Sequence, residues 1–371
     1  MKIAFCIRKD YLDRKGGDTI QLLSTKEALE RIFSIQSIVI TDVESIKDSD
    51  ADIFHVFNLS DPHNSIQFVT ECKRYHKKVA LSTIYWDLSY STSAELLDLL
   101  TIVPWNSKII LWIRSLLNLT GKWIGKPKFS SGNFKKAVTM MVAAADTLLP
   151  NSPEELALIS TFIGFEKEVL LQKTTVVVNA TAFNLNVSSG VRPDLPENYV
   201  LQVGRIEATK NQLGVIKALF NEKDIPIVFV GNTKFRPSYY QKVKQLAEQR
   251  GNVFFIEEIE HQQLPAIYQR AIVHVLASFR ESPGLVSLEA LANKCKAVVS
   301  STAFCPVTFY FGDDVTIVNP LDTDSIRAGI LTEIDTKRDM EFISTRIREK
   351  FSWDKAAQQT YSSYQGITKL K

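Results

Sequence analysis

The sequence predicts an α/β protein of two doubly wound domains, each a parallel sheet between layers of helices. Three observations point there. Short apolar runs rich in β-branched residues recur along the chain, amphipathic stretches separate them, and 371 residues exceed what one ordinary core holds. Runs that are apolar throughout, rather than alternating, suit strands buried on both faces of a parallel sheet.

In order, KIAFCI, SIVIT, IFHVFN and KVALSTIYW are the expected strands of the first half. TTVVVNA, YVLQV, IPIVFVG, NVFFIE, AIVHVLAS and KAVVS follow. Segments such as TIQLLSTKEALERI, SYYQKVKQLAEQR and QLPAIYQRA lie between them, giving the strand–helix alternation of a doubly wound fold. The boundary falls in NVSSGVRPDLPEN, 186–198, where Ser, Gly, Pro and charge replace the apolar pattern. Residues 1–187 are then a first domain and 188–355 a second. The tail beginning FSWDKAAQQTYSSYQG is helical in pattern, and a helix over 356–371 is long enough to pack back onto the first domain.

With 45% hydrophobic and 23% charged residues and a net charge of only +3, the chain reads as a soluble globular protein, not a nucleic-acid binder. The start, MKIAFCIRKDYLDRKGG, lacks the apolar core of a signal peptide, so a cytoplasmic location is expected. Cys6, Cys72, Cys295 and Cys305 form no CxxC pair and read as buried thiols rather than zinc ligands or disulfides.

Chemistry gathers in SFRESPGLVSLEALANK, 278–294. Ser282 and Pro283 predict a helix start, Ser as N-cap and Pro at the first helical position, with the helix running to about Asn293. The first amides, on Gly284, Leu285 and Val286, would then offer an anion the positive end of the helix dipole. Glu281 precedes the helix and Glu289 lies on the order of 10 Å further along it, one carboxylate for each end of an elongated ligand with an anionic middle. A lone pair of glutamates at this spacing is more often solvated surface charge. A second segment, YVLQVGRIEATKN, ends a strand at Gly204 and places Arg205 and Lys210 in the next loop, where ligands of open α/β sheets bind. Two solvated loop cations are the bland reading of it. A third, KGGDT, sets Lys15, Gly16 and Gly17 before a helix; paired glycines admit a phosphate or sugar, or simply make a tight turn. It matches neither GxGxxG nor GxxxxGK[ST], which disfavours nicotinamide cofactors and triphosphate hydrolysis.

Together GRIEATKN, IPIVFVGN and ESPGLVSLEALA resemble the retaining glycosyltransferases of family 4, with KGGDT, DIFHVF, ADTLLPNS and FSW as supporting matches over nearly the whole chain. The resemblance implies the GT-B fold, two Rossmann-like domains facing across a cleft. It implies that Arg205 and Lys210 bind the donor diphosphate together with Gly204 and the 284–286 amides. Glu289 would hold the ribose, Glu281 the transferred sugar, Gly17 the sugar or phosphate from the other domain, and the region of Ile256 the base. Glu281, Arg205 and Lys210 are the expected catalytic residues. The implied reaction moves a sugar from a UDP- or GDP-sugar to a hydroxyl of a glycan or lipid-linked acceptor in surface polysaccharide synthesis, with no metal or other cofactor. The alternatives are a nucleotide-sugar 2-epimerase and a non-catalytic sugar-nucleotide binder on the same fold. Three departures stand out: Ser282-Pro283 where relatives often read Gly-Phe, Glu257 where Gly is usual, and Tyr85-Trp86-Asp87 where a histidine often stands. The triplets Asp48-Ser49-Asp50 and Asp50-Ala51-Asp52 read as solvated acid.

Residues 96–129 carry Trp105, Trp112 and Trp123 with Lys108, Arg114, Lys122, Lys126 and Lys128 among apolar residues. Such a stretch suits peripheral contact with the inner face of an anionic membrane, or else a buried helical pair; it is too charged to span one.

Overall fold

The computed structural model describes residues 1–13, 16–100, 106–120, 131–181, 195–257 and 259–368. The chain divides into two compact units: Met1–Trp86, Lys126–Ala180 and Phe351–Lys371 in the first, Asp87–Gly125 and Thr181–Lys350 in the second.

The first unit's sheet comprises β1 (Lys2–Cys6), β2 (Gln36–Ile40), β3 (Ile53–Phe57), β4 (Lys78–Ser82) and β5 (Thr147–Leu149). They lie in the order β2-β1-β3-β4-β5, all parallel. Between the strands run α1 (Gly17–Phe33), α2 (Ser45–Asp48) and α3 (Pro62–Arg74). After β4 come α4 (Ser89–Leu99) and α5 (Ser107–Thr120), then α6 (Ser131–Ala144), α7 (Pro153–Ile163) and α8 (Lys167–Leu171). The second unit's sheet comprises β6 (Tyr199–Val203), β7 (Ile227–Val230), β8 (Val253–Ile256), β9 (Ala271–Leu276), β10 (Ala297–Ser300) and β11 (Thr316–Val318). Its order is β11-β10-β9-β6-β7-β8, again parallel. Its helices are α9 (Gln212–Ala218), α10 (Pro237–Arg250), α11 (Leu264–Arg270), α12 (Leu285–Ala292), α13 (Val307–Tyr310), α14 (Thr323–Asp335) and α15 (Met340–Lys350). The chain ends in α16 (Trp353–Thr368).

The fold class read from the sequence is the one observed, and for the reason given. Both faces of the second sheet are buried: Val200, Phe229 and Val273 look into one core, Tyr199, Leu201 and Val228 into the other. In the first unit, Ala4, Phe54, Val79 and Leu81 pack with Phe68, Val138 and Met141 on one face. On the other, α16 lies along α1, with Phe33 stacked on Tyr361 at 4.0 Å between ring centroids. The four cysteines are buried and unbridged.

Two expectations on the elements differ from what is seen, and one strand went unread. TTVVVNA forms no strand; Thr174 makes one bridge to Leu148, the Thr175 and Val177 amides donate to the Leu148 and Pro150 carbonyls at 3.0 and 2.9 Å, and the Val178 amide donates to the Gln359 side chain at 2.9 Å. The helices α4 and α5 belong to the second unit although they precede 188, because Ala94, Leu97, Ile110, Ile113 and Leu117 share a core with Ile206, Leu213 and Phe279. The three-residue β11 is too short for its pattern to stand out. The expected linker, 186–198, lies outside the described residues up to 194.

Two fully buried histidines, His55 on β3 and His274 on β9, make stability depend on pH. Burial pulls both pKa values from 6.5 down to about 3. His55 is satisfied as a neutral ring, with Tyr364 Oη 2.6 Å from Nδ1 and Ser82 Oγ 2.8 Å from Nε2. Below pH 6.5 the unfolded chain gains protons that the folded chain refuses until about 3, so stability is complete above 6.5 and falls with pH in that window. Each histidine should cost about 1.4 kcal/mol per pH unit there. Urea midpoints are expected to drop from pH 7.5 to pH 5, and His55→Gln to flatten the first unit's share of that drop.

Candidate functional site

The loops beyond the carboxyl ends of β6, β7 and β9 bring the candidate residues of the second unit together, as the switch-point rule for open parallel sheets expects. Two glycines let the loop after β6 meet the one after β7. A Cβ on Gly231, whose φ is 155°, would stand 1.9 Å from the Gly204 carbonyl oxygen, so only glycine fits. Gln202 Nε2 donates to the Lys210 carbonyl at 2.6 Å, and Gln212 Nε2 to that of Arg205 at 3.0 Å. Asn211, left-handed at φ 57°, donates from Nδ2 to the carbonyls of Ala277 (3.1 Å) and Pro320 (2.9 Å). The Phe279 amide returns a bond to the Thr209 carbonyl at 2.8 Å. The loop carrying Arg205 and Lys210 is thereby stitched to the loop carrying Glu281.

The consequence is an ion pair. Lys210 Nζ lies 2.6 Å from Glu281 Oε1, with only 17% and 8% of the two side chains exposed. From separate reading of the two segments each would face ligand alone; in the fold they face each other. Arg205 is half-exposed, pairs with Glu207 Oε1 at 3.0 Å and lies over the Phe235 ring at 4.7 Å. Arg280 feels the charges of Glu95, Glu207 and Glu281, and burial keeps its pKa below the usual arginine value.

The helix start differs from the expected one. α12 begins at Leu285 with Gly284 at the N-cap (φ 90°, ψ 74°) and no side-chain cap, so Ser282 is not the cap nor Pro283 the first helical residue. The turn needs a left-handed residue, and a Cβ on Gly284 would come 2.8 Å from Leu276 Cδ2. The Leu285 and Val286 amides lie in the first turn, where a helix supplies no acceptor of its own. Further along, Glu289 accepts from Thr181 Oγ1 at 2.8 Å and from the Tyr268 hydroxyl at 3.2 Å. That hydroxyl is also within bonding distance of the Val286 carbonyl, at 3.1 Å. Burial, then the Glu289 charge, raises the Tyr268 pKa well above the phenol value.

Arg205, Lys210, Gly204 and Glu281 thus share one place, with Gly284, Leu285 and Val286 next to it in the chain and Glu289 on the same short helix. Ile256 differs from expectation: its side chain is buried at the end of β8 and its carbonyl accepts from the Gly231 amide at 2.9 Å. Glu257 is exposed and accepts from Thr233 Oγ1 at 3.2 Å. Gly17 opens α1 in the first unit beside Asp18, which the Arg8 guanidinium holds. Lys15 lies outside the described residues. Asp50 pairs with Lys2, and Asp52 accepts from the Lys2 amide at 2.8 Å. Among the described residues no group of three or more His, Cys, Asp or Glu is placed to hold a metal ion.

Glu207, Phe235, Arg280, Tyr268 and Thr181 escaped the sequence reading. Glu207 sits inside the GRIEATKN motif and was legible there as a charge. Thr181 reaches Glu289 across 108 positions and left no local signal.

Residues 188–349, a little under half the chain, match the family model of glycosyl transferases group 1. The O-antigen chain mannosyltransferase B of Escherichia coli is 25% identical over 176 residues, 45% of this chain and 46% of that one. The chain spans about half the length of the curated relatives it matches. Among solved structures, sucrose-phosphate synthase from Thermosynechococcus elongatus superposes over 100% of both chains with a TM-score of 0.74 at 16% identity. Anabaena HepE, determined in complex with UDP and glucose, does so with a TM-score of 0.68 at 15% identity. At such identities the likeness is one of fold, and the fold is GT-B.

The stitching makes a stability prediction. Asn211→Ala leaves two buried carbonyls without their donor and should cost about 2–4 kcal/mol, read as a lowered unfolding midpoint.

Proposed function

We propose that this chain, a member of the glycosyl transferases group 1 through residues 188–349, transfers a hexosyl group from a UDP- or GDP-sugar to a hydroxyl of a glycan or lipid-linked oligosaccharide, with retention at the anomeric carbon. The observation that carries the reading is the convergence of Arg205, Lys210 and Glu281 beside the first turn of α12. Fold alone would not carry it, since one fold hosts many reactions.

The bond from the anomeric carbon to the phosphate oxygen breaks, and the acceptor oxygen bonds the same face. The acceptor's proton passes to the leaving diphosphate, so no side-chain nucleophile is required. The chain's work is electrostatic. Arg205, Lys210 and the Leu285 and Val286 amides stabilise the charge that grows on the leaving phosphate, in a site already arranged to receive it. Glu281 takes hydroxyls of the sugar and Glu289, fixed by Thr181 and Tyr268, those of the ribose. The positive charge comes from side chains and amides, and the reaction as proposed runs without metal.

The acceptor side draws on α5. Its inward residues Ile110, Ile113 and Leu117 are buried, while Leu111, Trp112 and Leu116 are 43%, 64% and 47% exposed, with Lys108 on the same face. Arg114 is occupied, stacking over Tyr90 at 4.1 Å. Trp105, Trp123, Lys122, Lys126 and Lys128 lie outside the described residues. Among those described, no helix is long and apolar enough to cross a membrane. An apolar outward face edged by lysine fits peripheral contact with an anionic leaflet, the place of a lipid-linked acceptor.

Incubation with a panel of nucleotide sugars should release nucleoside diphosphate slowly from one of them, undiminished by EDTA. Stabilisation by several donors without release from any would instead mark a non-catalytic binder, and interconversion at C2 of the sugar an epimerase. Lys210→Met and Glu281→Gln should each lower the rate about a hundredfold or more; wild-type rates in either would sink the site. Because each partner is largely buried, unfolding midpoints must be measured beside the rates, and a loss of about 1–3 kcal/mol is expected from the unpaired group. Sedimentation with anionic liposomes at low salt should depend on Trp112 and Leu116, and its absence would remove the membrane contact.

A further inference from the structure

An exposed phenylalanine and a buried carboxylate flank Arg205. Phe235 follows β7 and is 38% exposed, with one face of its ring turned to the Arg205 guanidinium. Glu207, which precedes the 3-10 turn Ala208–Lys210, keeps only 10% of its side chain exposed, so its charge is largely desolvated and needs a partner. Both close on one guanidinium, Glu207 Oε1 at 3.0 Å from Arg205 Nη2 and the Phe235 ring at 4.7 Å from Cζ. The surroundings fix the clamp in turn. Arg236 also reaches the Phe235 ring, at 5.5 Å, and pairs with Glu95 at 3.9 Å; Glu95 accepts from Thr209 Oγ1 at 3.3 Å. Glu207 faces Arg280 as well, so its charge answers two cations.

We propose that Glu207 and Phe235 are positioning residues that hold the Arg205 guanidinium in one orientation, with its remaining N–H groups turned to receive a diphosphate. The clamp rests on the reading of Arg205 as a diphosphate ligand. An arginine has five N–H donors in a rigid fork, and an ion pair to one nitrogen with a ring against its face leaves the others directed without consuming them. Preorganisation of this kind spares the ligand the cost of ordering a long side chain.

The test is a set of double-mutant cycles on the full chain, with UDP, GDP and inorganic pyrophosphate as titrants. Phe235→Leu carries no charge change, so its sign is unambiguous: affinity for the diphosphate that binds should fall about two- to fivefold. Phe235→Tyr should restore it, and Phe235→Leu should have no effect once Arg205 is Ala. Glu207→Gln has two opposed effects, lost orientation and lost repulsion of the anion. Only repulsion remains in the Arg205→Ala background, so the substitution must be less favourable in the wild type than there, by about threefold or more. Equal effects in both backgrounds would overturn the clamp while leaving Arg205 as a ligand. If Arg205→Ala itself binds every titrant as well as wild type, the diphosphate reading of Arg205 falls, and the clamp with it.

Discussion

The site depends on one side chain that touches no ligand. Asn211 bonds two carbonyls, of Ala277 and Pro320, and so binds the loop after β6 to the strand end after β9. With the Phe279 amide on Thr209, this fixes where Lys210 can reach, and it reaches Glu281. Asn is well suited to the position: its amide supplies two donors, and it tolerates the left-handed backbone better than most residues. The glycines at 204, 231 and 284 are the steric counterpart, letting backbones meet where any Cβ would clash or strain.

The result is a site whose charges are paired with one another. Lys210 holds Glu281, Arg205 holds Glu207, and Arg280 stands among three carboxylates. Paired groups in a partly dry setting stay fixed, which favours electrostatic preorganisation over adaptation. At the start of α12 no side chain caps the first turn, because glycine stands at the N-cap.

Much of this was legible in the sequence. Unbroken apolar runs gave the parallel sheets, because burial on both faces removes the alternation that other strands show. The carboxylate at 281 and the cations at 205 and 210 were legible because each lies in a loop at a strand end or just before a helix start, and the one at 289 because it follows 281 within the same short helix segment. What was hidden is what depends on long-range pairing. TTVVVNA has strand composition, yet the Val178 amide found the Gln359 side chain far along the chain. Ser282-Pro283 is a fair helix-start signal, but the chain turns left-handed at Gly284, and the helix begins only at Leu285. The Thr181 and Tyr268 bonds to Glu289 unite three distant segments and have no local pattern at all.

The central claim is spatial: one nucleotide sugar lies along the start of α12. A crystal structure of the chain soaked with UDP and with GDP tests it most directly. The diphosphate should lie against the Leu285 and Val286 amides within reach of Arg205 and Lys210, with the ribose hydroxyls on Glu289. A nucleotide bound elsewhere, or with its ribose away from Glu289 and the Lys210–Glu281 pair undisturbed, would contradict the account.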